Sequence, residues 1–117
     1  MTRSAANAGP GLREVARRTL RRVMRDEAYA SLALGGEMER AALNVADRAL
    51  CTEIVYGVLR HQTRIDRALA AYSNRPAKRQ SPIVRTALRV AAYQMLFLDR
   101  VAIPVVVDDA VGAIRES

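Results

Sequence analysis

A dense run of arginines near the N-terminus is the most prominent candidate binding feature of this 117-residue sequence. From Leu12 to about Ala30 the pattern predicts an amphipathic helix, with apolar residues confined to an arc of roughly 140° at helical spacing. Six arginines occupy the opposite side, and Glu14 is the single acid between the first and the last of them. The six are Arg13, Arg17, Arg18, Arg21, Arg22 and Arg25.

This spacing sets like charges four residues apart, which costs a helix a few tenths of a kcal/mol per pair. A fold gains nothing from such an arrangement, whereas a phosphate backbone would bind it, because the flat guanidinium matches phosphate with two parallel hydrogen bonds. We therefore predict a nucleic-acid-binding outer face, and a solvated amphipathic face is the alternative. Few aromatic residues are present for base stacking, so contacts to the backbone are expected to dominate. Secondary candidates are Arg60 and Arg64 at a helix end and Arg75, Lys78 and Arg79 in a polar loop.

Catalytic side chains do not cluster in the sequence. His61 is the only histidine and Cys51 the only cysteine, and one of each cannot make a zinc site. Asp108 and Asp109 are neighbours that point about 100° apart on a helix, so complementing the helix dipole after Pro104 is the simpler account. We expect no catalytic residue, no metal and no cofactor in this chain.

The composition favours an anionic partner. Nineteen basic residues, eighteen of them arginine, stand against twelve acidic ones and give a net charge of +7. A genome rich in G and C also produces arginine in place of lysine. The net charge, and not the preference for arginine, therefore indicates the anionic partner. The single cysteine excludes an intramolecular disulfide and fits the cytoplasm. No apolar run is long enough to span a membrane, and no signal peptide is visible.

One helix predicted at about 81–99 organises the rest of the chain. Ser81 is suited to cap it and Pro82 to its first turn. Residues 83–98 are apolar on every side, which is typical of a helix in the middle of a bundle. We expect a disordered tail at residues 1–11 and one all-α domain at residues 12–117.

The remaining helices are predicted around this centre. Gly35-Gly36 is expected to break the chain before a weak helix at 37–46. Asp47 is expected to be the N-cap or a first-turn acid of a strong helix. That strong pattern divides near Gln62-Thr63, because a single helix of some 25 residues would overshoot so small a domain. Gly57 indicates a close approach of a neighbouring helix, and Pro104 is suited to open the last helix, which ends near residue 115.

Three segments together resemble the NusB-like RNA-binding domains. Residues 47–60 resemble the family's "DR-x-L-x-TELVYG-x-LR" helix, and residues 88–96 its "LR-x-(A/G)-x-YQ-L" helix. Residues 107–111 resemble its "VNEAV" segment, with Asp109 in place of the usual Glu. The resemblance covers roughly residues 12–117 and implies a NusB-like helical bundle that binds RNA.

Within that family, the sequence looks most like the N-terminal domain of RsmB/Sun-type ribosomal RNA cytosine methyltransferases. The resemblance implies a parent enzyme that makes 5-methylcytosine in small-subunit ribosomal RNA, with S-adenosylmethionine bound in a C-terminal domain that this chain lacks. It also implies one further helix after residue 117, so we expect a C-terminally truncated domain. The alternatives are a free NusB-type antitermination factor that binds leader RNA and a ribosomal protein, and a helical protein–protein interaction domain.

Overall fold

The computed structural model describes residues 11–72 and 80–116, which fold as six helices without a strand. The all-α prediction is therefore confirmed for this part of the chain. None of the helices in these two ranges combines the length and the apolar character needed to cross a membrane. The helices are α1 (Leu12–Asp26), α2 (Ala30–Ala41), α3 (Val45–Arg60), α4 (Gln62–Ala70), α5 (Pro82–Phe97) and α6 (Ile103–Arg115).

Helix α5 lies at the centre and packs against α1, α3, α4 and α6. Its start is as predicted, since the Ser81 hydroxyl accepts a hydrogen bond from the Val84 amide at 3.2 Å and Pro82 occupies the first turn. Its burial is not complete, because Met95 and Leu96 in the last turn are 43% and 54% exposed. The prediction that other helices surround it on every side is thus wrong for that turn within the described residues.

Helix α1 ends at Asp26, four residues earlier than predicted, because Glu27 adopts a left-handed backbone conformation with φ of 52°. Helix α2 then runs straight through Gly35-Gly36, so the predicted break there is wrong. Leu34 and Met38 of α2 are buried in the core on either side of the glycines. This packing outweighs the low helix propensity of glycine.

The start of α3 differs from the prediction by a few residues, whereas its end agrees with it. Asn44 caps the helix, and its side-chain oxygen accepts a hydrogen bond from the Asp47 amide at 2.8 Å. Asp47 is the acid of the first turn, which is the second of the two roles predicted for it. Helices α3 and α4 meet at His61, which confirms two helices instead of one. A β-carbon built at Gly57 would overlap the Tyr93 ring of α5, so the predicted close approach is also confirmed.

The main core joins α1, α2, α3, α4 and α5, and it fixes which side of α1 faces outward. Val15 and Leu20 of α1 are almost fully buried against residues such as Ile54, Val58 and Val90. Because three helices, α2, α3 and α5, pack against α1, the arc that they cover is wider than the apolar arc of its sequence. The arginines at the edges of the apolar arc are consequently drawn into the packing.

Candidate nucleic-acid interface

The arginines of α1 divide into a group on the side that the core leaves open and a group held by neighbouring helices. On a helical wheel Arg18, Arg21 and Arg25 lie within about 60° of one another, in the middle of the side that the core leaves open. Arg17 lies at one edge of this side and Arg22 at the other. The two edge residues form ion pairs with different helices.

Arg17 does not lie on an outer face, which corrects the prediction for this residue. Its side chain is only 8% exposed, and its guanidinium pairs with the carboxylate of Asp109 on α6. Asp109 therefore holds two helices together, and the helix-dipole role predicted for it is wrong, because it lies beyond the first turn of α6. Arg13 is half-buried, and its Nε donates to Oε1 of Gln94 on α5 at 2.8 Å.

Arg22 faces α2 and shares a carboxylate with an arginine that the sequence did not single out. Oε2 of Glu37 accepts hydrogen bonds from Arg22 Nη1 at 3.3 Å and from Arg40 Nη2 at 2.8 Å. The Glu37 side chain is only 10% exposed, whereas that of Arg40 is 64% exposed. The sequence could have identified Arg40 by its spacing, because it follows Glu37 by three residues and the two therefore lie on one face of a helix.

Two further arginines pair with acids of α1 itself. Arg18 and Glu14 lie 2.6 Å apart across one helical turn. Arg25 donates from Nε and Nη2 to the two carboxylate oxygens of Asp26, at 3.0 and 3.1 Å. This hydrogen bonding lowers the pKa of the Asp26 carboxyl and raises that of the Arg25 guanidinium. The sequence pattern indicated that these six arginines lack acidic partners. This expectation is wrong for the four that form ion pairs, which are Arg17, Arg18, Arg22 and Arg25.

Arg21 forms no ion pair with any residue in the described ranges 11–72 and 80–116. Partial burial lowers the pKa of its guanidinium, and the positive charges of Arg17 and Arg18 lower it further. It lines a small cleft between α1, α5 and α6, together with Ile83 and Glu116. A lowered arginine pKa means that the charged form is destabilised by its surroundings, so an anion bound beside Arg21 would relieve that destabilisation.

The secondary candidates lie away from this face or outside the described residues. Arg60 and Arg64 are exposed where α3 meets α4, and Cζ of Arg64 lies 5.4 Å from the centroid of the Phe97 ring. His61 stacks on the same ring, with 4.4 Å between ring centroids, which is a structural contact. The predicted candidates Arg75, Lys78 and Arg79, like residues 1–10 of the predicted tail, fall outside the described residues.

The residues capable of other chemistry are buried or dispersed. Cys51 has no exposed surface, and burial raises the pKa of its thiol to about 11. Within the ranges that the structure covers, no three His, Cys, Asp or Glu residues come together in an arrangement that could hold a metal ion. The arrangement that remains is a row of solvent-facing guanidiniums on a helix fixed by the core. Such a row can bind phosphate groups.

Similar proteins fall into two groups. A "Probable ribosomal RNA small subunit methyltransferase B" of Synechocystis sp. is 34% identical over 89 residues, which are 76% of this chain and 20% of that protein. A "Transcription antitermination protein NusB" of Elusimicrobium minutum is 36% identical over 72 residues, which are 60% of this chain and 51% of that protein. The chain thus spans about a fifth of the methyltransferase relative and about half of the antitermination relative.

The fold of this chain is also similar to that of a solved NusB structure. A structure of T. maritima NusB superimposes with a TM-score of 0.80 at 20% identity, and the match covers 90% of this chain and 75% of that one. The predicted NusB-like helical bundle is therefore confirmed. The sequence profile described as the NusB family matches residues 11–117. The chain belongs to the NusB family.

Proposed function

We propose that this chain is an RNA-binding module that docks ribosomal RNA through α1, as the N-terminal domain of a cytoplasmic S-adenosylmethionine-dependent methyltransferase. The parent enzyme would make 5-methylcytosine in small-subunit ribosomal RNA, and its C-terminal domain would hold the cofactor. The similarity to the Synechocystis methyltransferase, of which this chain spans a fifth, supports the enzyme class.

The observation that carries the RNA-binding proposal is the position of Arg21. It lies between like charges, forms no ion pair in the described part of the chain although the charge of Glu14 acts on it, and is flanked on one face by Arg18 and Arg25. These three guanidiniums span two helical turns, about 11 Å along the axis. The exposed ion pairs of Arg18 and Arg25 contribute little stability, so a phosphate can replace their carboxylates at small cost.

The direct test measures RNA affinity as a function of salt concentration. If Arg18, Arg21, Arg22 and Arg25 each neutralise one phosphate of single-stranded RNA, the slope of log K against log salt is about −2.8. Changing Arg18, Arg21 and Arg25 to Gln should reduce that slope to about −0.7. Arg17 is left intact in this variant because its ion pair joins two helices.

A matched control removes the same charge elsewhere. Arg48, Arg67 and Arg115 are exposed residues of three other helices, and their replacement by Gln lowers the net charge equally. The control should retain most of the slope, since these residues lie off the proposed face. Equal loss in both triple variants would mean that net charge, and not the α1 face, governs binding.

A second candidate function is that of a free antitermination factor, which the similarity to the Elusimicrobium protein favours. Affinity for a small-subunit ribosomal RNA fragment can be compared with affinity for a leader RNA, with and without a small ribosomal protein. Preference for the leader RNA, increased by the ribosomal protein, would favour this candidate. Binding to an acidic protein through the same face, without RNA binding, would instead indicate a protein–protein interaction domain.

A further inference from the structure

Two adjacent glycines in the middle of α2 have no packing role. A glycine inside a helix costs about 1 kcal/mol relative to alanine. A β-carbon built at Gly35 would meet no atom within 4 Å. At Gly36 its nearest neighbours would be guanidinium nitrogens of Arg22 and Arg40 at 3.7 to 3.8 Å, which is ordinary van der Waals contact. The fold therefore tolerates a β-carbon at both positions and does not explain the glycines.

The two guanidiniums beside Gly36 are held in place by one buried carboxylate. Arg22 and Arg40 both donate to Oε2 of Glu37, so the two donor nitrogens lie within about 6 Å of each other. Each guanidinium has five N–H donors, and the described contacts use one nitrogen of each. The side chains are 36% and 64% exposed, so the other donors face solvent.

We propose that Arg22, Arg40 and the bare helix surface at Gly36 form a binding site for a phosphodiester group, which extends the RNA contact from α1 onto α2. The inference rests on the proposed RNA-binding function. Glu37 positions the two guanidiniums so that one phosphate accepts from both. Gly36 lets the sugar–phosphate backbone come close to the helix, which a longer side chain would prevent.

Two nearby carboxylates oppose the bound phosphate: that of Glu37, whose charge the two guanidiniums offset, and that of Glu39. Glu39 is exposed on α2, one turn from Gly36, and has no ion pair within the described ranges. The Glu39→Gln variant should therefore bind RNA a few-fold more tightly, because it removes the repulsion between the carboxylate and the phosphate, which is modest near a protein surface. Glu53→Gln removes an exposed carboxylate of α3 and serves as its control.

The test compares single variants of the full chain in RNA binding at several salt concentrations. Arg40→Gln should weaken binding about tenfold, as expected for one charge-assisted hydrogen bond. It should also reduce the magnitude of the salt slope by up to about 0.7, because Arg22 remains beside the same phosphate. Arg67→Gln, which removes an exposed arginine of α4, should change neither. Gly36→Leu should weaken binding similarly without changing the net charge, and its thermal unfolding should show an intact or more stable fold.

The possible failures are distinguishable. A wild-type chain with no salt-dependent RNA binding would overturn the proposed function itself. A wild-type chain that binds RNA, together with equal effects of Arg40→Gln and Arg67→Gln, would overturn the α2 site alone. Unchanged affinity in a folded Gly36→Leu variant would also overturn it. The leucine blocks the close approach of the RNA backbone to α2, so binding that survives the change does not use that approach.

Discussion

Arg17 of α1 and Asp109 of α6 form an ion pair across 92 residues of sequence. Arg17 is nearly inaccessible to solvent, and Asp109 is 28% exposed. The pair joins two helices that have few other contacts with each other, since α6 packs mainly on α5 whereas α1 packs on α2, α3 and α5. A residue whose sequence context indicated an RNA contact is therefore part of what holds α1 in position.

We expect the two halves of this pair to differ in importance for stability. Asp109→Asn leaves a buried guanidinium without its counter-charge and should cost about 3 kcal/mol of unfolding free energy. Arg17→Met leaves only a partly exposed carboxylate and should cost about 1 kcal/mol. Urea denaturation of both variants measures the difference. Glu14→Gln, which breaks the exposed pair with Arg18, is the control and should cost less than about 0.5 kcal/mol.

Gly57 should tolerate no side chain. Gly57→Ala places a methyl group inside the volume of the Tyr93 ring and should destabilise the fold by about 3 kcal/mol, since α3 and α5 must separate. Gly112→Ala is the matched control, because a β-carbon there meets no atom within 4 Å. That variant should gain up to about 1 kcal/mol from helix propensity. Similar thermal shifts in the two variants would contradict the close approach of the helices.

Arg89 should not be replaceable by lysine. Its Nε and Nη2 donate to the two carboxylate oxygens of Asp66, both at 2.8 Å, and this pair joins α5 to α4. Lysine keeps the charge but cannot form two parallel bonds from a buried position. Arg89→Lys should therefore lower the unfolding free energy by about 2 kcal/mol. Arg67→Lys on the exposed side of α4 should leave it unchanged, and equal effects would argue against a role for the paired geometry.

Stability should decrease at alkaline pH because of Cys51. Its thiol has a pKa of about 11 in the folded chain, against an ordinary value of 9.0. Below pH 9 the thiol is protonated in both states and pH has no effect through this group. Between pH 9 and 11 the unfolded chain loses the proton first, so the unfolding free energy falls, by about 2 to 3 kcal/mol in total.

Urea denaturation from pH 8 to 10.5 measures this decrease, and Cys51→Ala provides the comparison. The variant should lose less stability over the same interval, whatever its stability at pH 8. A residual decrease is expected from Tyr93, because burial raises the pKa of its hydroxyl in the same direction. If the pH dependence of the variant matched that of the wild type, the thiol could not be its source.

The sequence by itself determined the helical class, the start of α5 at Ser81-Pro82, the division of α3 from α4 and the tight contact at Gly57. These features follow from helical periodicity, capping residues and glycine chemistry, all of which act over a few neighbouring residues.

Only the tertiary structure decided which arginines of α1 face solvent. The partners of Arg17 and Arg22 are Asp109 and Glu37, which lie 92 and 15 residues away in the sequence and come close only when the helices pack. The continuation of α2 through Gly35-Gly36 has the same origin. Local propensity differs by about 1 kcal/mol per residue, and burial of apolar side chains such as Leu34 outweighs it.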